Sequence, residues 1–228
     1  MSALGRPRLH LRRTDSTNDR ARELAASGAP HGTLITASEQ TAGRGRQGRS
    51  WVAPAGRALL CSLLLRDPPR LLPLAAGVAV ASVVGAHGRV KWPNDVLVDA
   101  RKVAGILVEG RPQERWAVVG IGLNVAVRAD EFPPELRESA GTMGLGPEAI
   151  EPTLERLLET LERWIAAAPE EVLEEFRARD ALLHEPVRWA GGDGRAAGID
   201  GDGRLVVESS QGRVTLEAGE VHLLKGGR

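Results

Sequence analysis

The pattern of hydrophobic and polar positions divides the chain into two parts of different texture. Up to Leu182, long apolar runs alternate with polar loops, whereas the later segments are short and separated by turns such as Gly192-Asp-Gly194 and Asp200-Gly-Asp-Gly203. Short strands spaced by Gly/Asp turns are typical of a small, barrel-like all-β module. We therefore predict a main domain over residues 1–182 and a C-terminal β module over residues 183–228.

Apolar runs in the main domain predict strands at Leu9–Leu11, Gly32–Glu39, Ala58–Leu65 and Trp116–Ile121. A hairpin is predicted from Val96–Val98 and Lys102–Glu109, and side chains alternate between the two faces of a strand. The two faces of its second strand are predicted to carry Lys102, Ala104, Ile106 and Val108 on one side and Val103, Gly105, Leu107 and Glu109 on the other.

Four helices are predicted in the main domain. The first covers Asp19–Ser27, and hydroxyls within Thr14-Asp-Ser-Thr-Asn18 are candidates for its N-cap. The second covers the apolar stretch Leu71–Ala86, and the fourth begins at Pro169. The third helix carries an apolar stripe at helical spacing, formed by Leu154, Leu157, Leu158, Leu161, Trp164 and Ile165.

Composition excludes several classes of protein. The single Cys61 lies in an apolar run and is expected in the core, so neither a disulfide framework nor a metal site made of thiolates can form. Met1–Arg13 lacks the apolar core of a signal peptide, and Leu71–Ala86 is too short and interrupted to span a membrane. We therefore expect a cytoplasmic protein.

Charge is distributed unevenly along a chain whose net charge is zero. Residues 1–110 carry 16 Lys and Arg against 8 Asp and Glu, whereas residues 111–182 carry 8 against 15. A basic first half suits a small anionic ligand such as a nucleotide, while a neutral total does not favour a dedicated DNA-binding protein.

The stretch Gly43–Arg49 contains three glycines and three arginines. Glycine allows a backbone to approach a ligand closely, and arginine binds phosphate or carboxylate through a fork of donors. The stretch is either an anion-binding loop or a flexible basic surface loop. As an anion-binding loop, it is expected to be mobile when empty, with arginines that gain partners only when ligand is present. Gly43–Ser50 is close to a phosphate-binding P-loop, but Pro54 and Gly56 disfavour the helix that such a loop requires.

Several motifs, taken in order, resemble the biotin protein ligases. They are Thr14-Asp-Ser-Thr-Asn18, Gln40-Thr-Ala-Gly-Arg-Gly-Arg-Gln-Gly-Arg-Ser-Trp51, Val90-Lys-Trp-Pro-Asn-Asp95, Arg101-Lys-Val-Ala-Gly-Ile-Leu-Val-Glu109 and Gly120-Ile-Gly-Leu-Asn124. The resemblance implies an α+β fold related to class II aminoacyl-tRNA synthetases, a mixed sheet with helices, and an SH3-like C-terminal barrel. It also implies that ATP activates biotin to biotinyl-AMP, which then acylates a lysine of a biotin carboxyl carrier domain.

The resemblance also implies roles for individual residues. The catalytic residues would be Lys102, Arg44 and Arg46. Biotin would be bound by Ser16, Thr17, Asn18, Gln40, Arg44, Gly45, Arg46, Lys102, Gly105 and Leu107. ATP would be bound by Arg46, Arg49, Trp51, Lys91, Asn94 and Asn124, and Mg²⁺ by Asp95.

The resemblance leaves three questions about partners and function. Only 13 residues precede Thr14, too few for the helix-turn-helix domain of the bifunctional family members, so we expect a ligase without sequence-specific DNA binding. The sequence leaves monomer and homodimer open.

Two alternative functions are considered. One is a lipoate-type ligase of the same superfamily, and the other, from a different class, is a nucleic-acid-binding module. Stacking aromatic residues are expected in such a module, but Trp189 is the only aromatic residue of the C-terminal part, which disfavours it.

Overall fold

The structure, a computed structural model, describes residues 4–217 and 219–224. A seven-stranded sheet with the order β1-β2-β3-β7-β6-β5-β4 organises the first part of the chain. Its strands are β1 (Arg8–Leu11), β2 (Leu34–Ala37), β3 (Ala58–Arg66), β4 (Arg89–Lys91), β5 (Asp95–Val98), β6 (Arg101–Arg111) and β7 (Trp116–Asn124). β1 runs parallel to β2, and every other neighbouring pair is antiparallel.

Four helices cover the two faces of this sheet. They are α1 (Thr17–Ala26), α2 (Leu72–Val84), α3 (Ile150–Ala166) and α4 (Pro169–Ala178). Leu63 and Leu65 of β3 belong to the same apolar cluster as the residues of α2, α3 and α4. Leu64, between them, packs with Ala21 of α1 in a separate cluster. Because alternate side chains of a buried strand point to opposite faces, α1 covers one face of the sheet and the other three helices cover the second.

The C-terminal part forms a second, antiparallel sheet with the order β11-β10-β9-β8-β12. Its strands are β8 (Pro186–Trp189), β9 (Gly192–Ile199), β10 (Leu205–Ser209), β11 (Gly212–Leu216) and β12 (His222–Leu223). This confirms the predicted C-terminal β domain and the α+β class of the whole. The strands and helices predicted from the sequence are also confirmed, with ends that differ by a few residues.

The two sheets share one hydrophobic core. Val187, Leu205 and Val207 of the second sheet are buried in the same cluster as the residues of α2. The turn at residues 200–203 reinforces the contact, because Trp92 Nε1 donates a hydrogen bond of 3.1 Å to the carbonyl oxygen of Gly203. The C-terminal sheet is therefore fixed against the main domain.

One predicted feature of the β5–β6 hairpin is wrong. Strict alternation places Lys102 and Gly105 on opposite faces, but Lys102 Nζ lies 3.3 Å from the position that a Cβ on Gly105 would occupy. The cause is a β-bulge: Leu97 pairs with Lys102 and Val96 pairs with Ala104, which leaves Val103 as an extra residue on β6. A bulge interrupts the alternation of side chains and re-aims the residue beside it.

Among the described residues, no helix has both the length and the apolar character needed to cross a bilayer.

Candidate active site

A cavity of about 460 Å³ lies between the N-terminal end of α1, the strands β6 and β7, and the stretch Gly43–Arg49, here named the Gly/Arg loop. Each site residue predicted from the sequence borders it, namely Ser16, Thr17, Asn18, Gln40, Arg44, Gly45, Arg46, Arg49, Trp51, Lys91, Asn94, Asp95, Lys102, Gly105, Leu107 and Asn124. The structure thus brings the separate motifs to one place, while the roles of the individual residues stay predictions.

The Gly/Arg loop is a short hairpin. The amide of Trp51 donates to the carbonyl of Gly43 at 2.9 Å, and the amide of Gly45 donates to the carbonyl of Arg49 at 2.7 Å. A Cβ on Gly43 would lie 2.4 Å from the carbonyl oxygen of Trp51, so the two strands of the loop approach closely because this residue is glycine. Gln47 and Gly48 form the tip with φ values of 54° and 74°. The next helix or strand after the loop is the strand β3, whereas a P-loop leads directly into an α-helix.

One wall of the cavity is polar: Ser16, Thr17 and Asn18 are buried there, and Gln40 is half-buried. The Oε1 atom of Gln40 accepts hydrogen bonds from the Thr17 amide at 2.7 Å and from Thr17 Oγ1 at 3.0 Å. Ser62 Oγ lies 2.8 Å from Thr17 Oγ1 and 2.6 Å from Asn18 Oδ1. Sequence reasoning missed Ser62, although a hydroxyl within the apolar run of β3 was a signal that could have revealed it.

Glycines form the floor of the cavity. A Cβ on Gly120 would lie 2.0 Å from Asn18 Oδ1, and one on Gly122 would lie 2.4 Å from Trp51 Cε2. The Trp51 indole also lies 3.1 Å from the Cβ position of Gly105. The glycines of Gly120-Ile-Gly122 therefore leave space for polar and aromatic side chains and do not form a dinucleotide-binding turn.

Two buried polar atoms of residues that border the cavity have no partner among the described residues: Trp51 Nε1 is a donor and Asn124 Oδ1 is an acceptor. A third such atom, Asp95 Oδ1, accepts no hydrogen bond but forms the ion pair with Lys102 Nζ at 2.6 Å. Asn124 is held through its other atom, because Nδ2 donates a 2.9 Å hydrogen bond to the carbonyl of Gly141. A buried polar atom without a partner is costly. A ligand that offers an acceptor and a donor here would remove that cost.

The cations around the cavity fall into two groups. Arg44 Nη1 contacts Asp19 Oδ1 at 2.5 Å, Arg49 Nη1 contacts Glu220 Oε1 at 2.8 Å, and Lys102 Nζ contacts Asp95 Oδ1 at 2.6 Å. The expectation that the loop arginines lack partners without ligand is therefore wrong for Arg44 and Arg49.

Arg46 and Lys91 form the second group, since neither has an ion pair among the described residues. The Arg46 guanidinium donates from Nη1 to Asn94 Oδ1 at 3.4 Å. Burial lowers the pKa of both Arg46 and Lys91 because desolvation penalises their charged forms. These two side chains are therefore available to an anion.

The described residues do not form a metal site by themselves, because no three His, Cys, Asp or Glu side chains are arranged to hold an ion. The two carboxylates among the described residues that border the cavity are Asp95 and Glu220, and each is paired with a cation. Mg²⁺ at nucleotide sites is commonly held by one or two carboxylates and by substrate phosphates. The residues fit an ion that arrives with phosphates, not a resident metal.

Cys61 is buried, as expected, although it also borders the cavity. Burial raises the pKa of its thiol to about 12. The thiol is therefore protonated near neutral pH and cannot act as a nucleophile.

The C-terminal domain contributes residues that sequence reasoning did not find. Glu220, His222 and Leu223 border the cavity, and Glu220 holds Arg49. They are separated from the loop by more than 160 positions, and no local pattern links the two segments.

Family models match both parts of the chain. The model of the biotin/lipoate A/B protein ligase family matches residues 10–125. The model of the biotin protein ligase C terminal domain matches residues 193–224.

Individual relatives extend this similarity over nearly the whole chain. The biotin–[acetyl-CoA-carboxylase] ligase of Paracoccus denitrificans is 36% identical, over 92% of this chain and 98% of that protein. The bifunctional ligase/repressor BirA of Bacillus spizizenii is 34% identical, over 91% of this chain and 71% of that protein. The biotin protein ligase from Aquifex aeolicus in complex with biotin and ATP superposes with a TM-score of 0.80 at 29% identity, covering 97% of this chain and 100% of that one.

Proposed function

The chain belongs to the biotin/lipoate A/B protein ligase family, and we propose how its residues carry out the reaction. It is an ATP-dependent biotin protein ligase, a carbon–nitrogen ligase that forms biotinyl-AMP and transfers biotin to a protein. In the first step, a biotin carboxylate oxygen bonds to the α-phosphorus of ATP, and the bond to the β-phosphate breaks to release pyrophosphate. In the second, a lysine amine bonds to the acyl carbon, a proton is lost, and AMP leaves.

The first step brings two anions together, so it requires fixed positive charge. We assign Arg46 and Lys91 to the phosphates of ATP, because both are partly desolvated and neither has an ion pair among the described residues. We assign Lys102 to the reacting carboxylate, because the bulge in β6 turns it toward Gly105 and the cavity. Its pairing with Asp95 would have to loosen when the substrates bind.

Biotin would occupy the polar wall and the glycine floor. A cyclic urea presents donors and an acceptor, and the buried Ser16, Thr17 and Asn18, with the half-buried Gln40, offer both kinds of partner. Gly105 and Leu107 would contact the apolar rings and chain.

The adenine would contact Trp51 and Asn124. An exocyclic amine can donate to Asn124 Oδ1, and a ring nitrogen can accept from Trp51 Nε1, which pairs the two buried atoms that have no partner among the described residues.

Mg²⁺ would enter with ATP, with Asp95 as its one protein ligand. The ion neutralises phosphate charge when it is bound. Asn94, whose Nδ2 donates to the carbonyl of Ile106 at 2.9 Å, would hold the turn that carries Asp95.

The proposed acceptor is a lysine of a biotin carboxyl carrier domain, because relatives are named for acetyl-CoA carboxylase. We place the reaction in the cytoplasm, where ATP is available. The stoichiometry of the active enzyme, monomer or homodimer, is left to measurement.

The observation that carries the proposal is the meeting, in one cavity, of a buried hydrogen-bonding wall and two cations available to an anion. The test is incubation with biotin, Mg-ATP and a carrier domain, followed by mass spectrometry of the intact carrier domain. We expect one added biotinyl group, on the carrier lysine. The lipoate alternative is tested by ATP–pyrophosphate exchange with each acid, and exchange driven by lipoate but not biotin would reject the assignment.

A further inference from the structure

The first arginine of the Gly/Arg loop is held from two sides by carboxylates. Arg44 Nη1 donates to Asp19 Oδ1 at 2.5 Å, and Arg44 Nη2 donates to Glu109 Oε1 at 2.8 Å. Asp19 lies in the first turn of α1, and Glu109 lies near the end of β6. The side chain of one residue therefore ties the loop to a helix and to a strand.

Glu109 has a second partner on the opposite side. Its Oε2 atom accepts a hydrogen bond of 2.9 Å from Asn18 Nδ2, which also lies 3.3 Å from the carbonyl oxygen of Leu107. Two acceptors beside Nδ2 fix which end of the Asn18 amide faces them. Asn18 Oδ1 is consequently directed toward Ser62 and the polar wall of the cavity.

Neither Asp19 nor Glu109 is among the residues that border the cavity, whereas Asn18 and Arg44 are. The two carboxylates therefore do not border a ligand in the cavity, whereas the residues that they hold do. Arg22 completes the cluster, with Nη1 3.3 Å from Asp19 Oδ1 and 3.7 Å from Glu109 Oε1. Two arginines and two carboxylates balance in charge, so Arg44 presents little net charge to a substrate.

From this geometry we infer that Glu109 is a positioning residue of the ligase reaction. It fixes the Asn18 amide in the biotin-binding wall and, together with Asp19, keeps the loop closed through Arg44. In this arrangement both Nη atoms of Arg44 are held by carboxylates, so the side chain is a structural anchor and not a donor to the reacting atoms. The inference rests on the proposed function, because it takes the wall at Asn18 to be the biotin side of the cavity.

Replacing Glu109 by glutamine tests the inference with little change in shape. Asn18 and Arg44 donate to different oxygens of Glu109, and glutamine replaces one of these oxygens by an NH₂ donor, so one of the two hydrogen bonds is lost. An Nε2 that faces Asn18 would favour a flipped Asn18 amide. We expect the KM for biotin in pyrophosphate exchange to rise about 10-fold, as for loss of a charge-assisted hydrogen bond. The KM for ATP and kcat should stay within about 3-fold, because Arg46 and Lys91 are not part of the cluster.

A second readout does not depend on activity. Trypsin cleaves after arginine, and cleavage within a hairpin follows the population in which it is open. We expect cleavage after Arg46 and Arg49 to be about 10-fold faster in Glu109→Gln than in the wild type, with positions read by mass spectrometry. Asp19→Asn should also accelerate cleavage, but it should raise the KM for biotin less, because Asp19 does not contact Asn18.

Glu23→Gln is the matched control. Glu23 lies on α1, the helix that carries Asn18 and Asp19. Its side chain is exposed and pairs only with Arg20 among the described residues. We expect it to match the wild type in both assays. The inference is overturned if Glu109→Gln behaves like Glu23→Gln, or if it changes kcat and both KM values together while lowering the melting temperature. If the wild-type enzyme does not activate biotin, the proposed function fails, whereas the cleavage assay still shows whether Glu109 and Asp19 hold the loop through Arg44.

Discussion

Lys102 is paired with Asp95 and lies 5.8 Å from the centre of the Trp51 ring, so its charge is held inside the cavity before any substrate binds. The sequence pointed to this lysine by resemblance, but simple alternation would have aimed it away from Gly105. Only the bulge, which depends on how β5 and β6 pair, gives the side chain its direction. A residue can thus be predicted from a motif while its geometry cannot.

We predict that Lys102→Ala lowers kcat for adenylate formation by about 10²–10³-fold, as for the loss of one donor that stabilises developing charge. Lys102→Arg should also be impaired, since the planar guanidinium cannot occupy the position of a compact ammonium. The measurement is biotin-dependent ATP–pyrophosphate exchange, with circular dichroism to show that the fold is retained. Normal exchange in Lys102→Ala would refute the role.

Asp180 permits a prediction about stability. It is buried, its Oδ1 accepts from the Leu182 amide at 2.8 Å, and its Oδ2 has no partner among the described residues. Burial raises the pKa of this carboxyl above its ordinary value of 3.8, despite hydrogen bonds from the backbone. The folded state therefore holds the proton more tightly than the unfolded state. The tighter binding of this proton stabilises the folded state. That stabilisation is complete below pH 3.8 and is lost as the pH rises through the raised pKa of Asp180.

Asp180→Asn should remove that dependence on pH. The melting temperature of the variant relative to wild type should be higher at pH 7 than at pH 4, by about 2–4 °C for each kcal/mol relieved in a chain of this size. Thermal melts of both proteins at the two pH values test this. A relative melting temperature that does not change with pH would show that the Asp180 carboxylate is already well stabilised.

At the scale of elements, the sequence predicted each strand and helix better than it predicted their arrangement. The apolar run of β3 and the stripe of α3 were sufficient to locate those elements. The position of β7 between β3 and β6 was not predictable, because it depends on contacts between distant segments. The Gly/Arg loop was expected to be mobile, yet backbone hydrogen bonds and the partners of Arg44 and Arg49 hold it as a hairpin.

Arg46 is the loop arginine whose partner is expected to be the ligand. We predict that Arg46→Gly still makes biotinyl-AMP but releases it, since it removes a charge-assisted contact worth about 1.5–3 kcal/mol, or roughly 10- to 150-fold in retention. Released biotinyl-AMP reacts with any amine, so an unrelated lysine-rich protein added to the reaction should be labelled. Mass spectrometry of that protein, beside a wild-type reaction, measures the effect. Equal labelling by both enzymes, with adenylate synthesis preserved, would show that Arg46 does not retain the intermediate.

At the scale of the whole molecule, the change in texture near Leu182 predicted a second unit but not how closely it is joined to the first. Val187, Leu205 and Val207 lie in the core that includes α2, and Glu220 reaches the Gly/Arg loop. Composition alone cannot reveal a shared core, because apolar residues of separate domains look the same in sequence. The shared core predicts that the main domain and the C-terminal sheet unfold together.

The turn at residues 200–203 offers a test of this coupling. Gly203 has a φ of 79°, its carbonyl accepts from Trp92, and a Cβ there would lie 2.5 Å from Leu74 Cδ1. Gly203→Ala should destabilise the protein by about 2 kcal/mol, from the left-handed backbone and the crowded contact, and so lower the melting temperature by about 4–8 °C.

Gly201→Ala is the matched control, because a Cβ on Gly201 would meet no atom within 4 Å and its φ is not in the left-handed region. We expect it to melt within about 1–2 °C of the wild type. Calorimetry should show one transition for all three proteins, shifted as a unit in Gly203→Ala. A second transition at lower temperature in that variant would mean that the C-terminal sheet unfolds independently. The two parts would then be packed together without unfolding cooperatively.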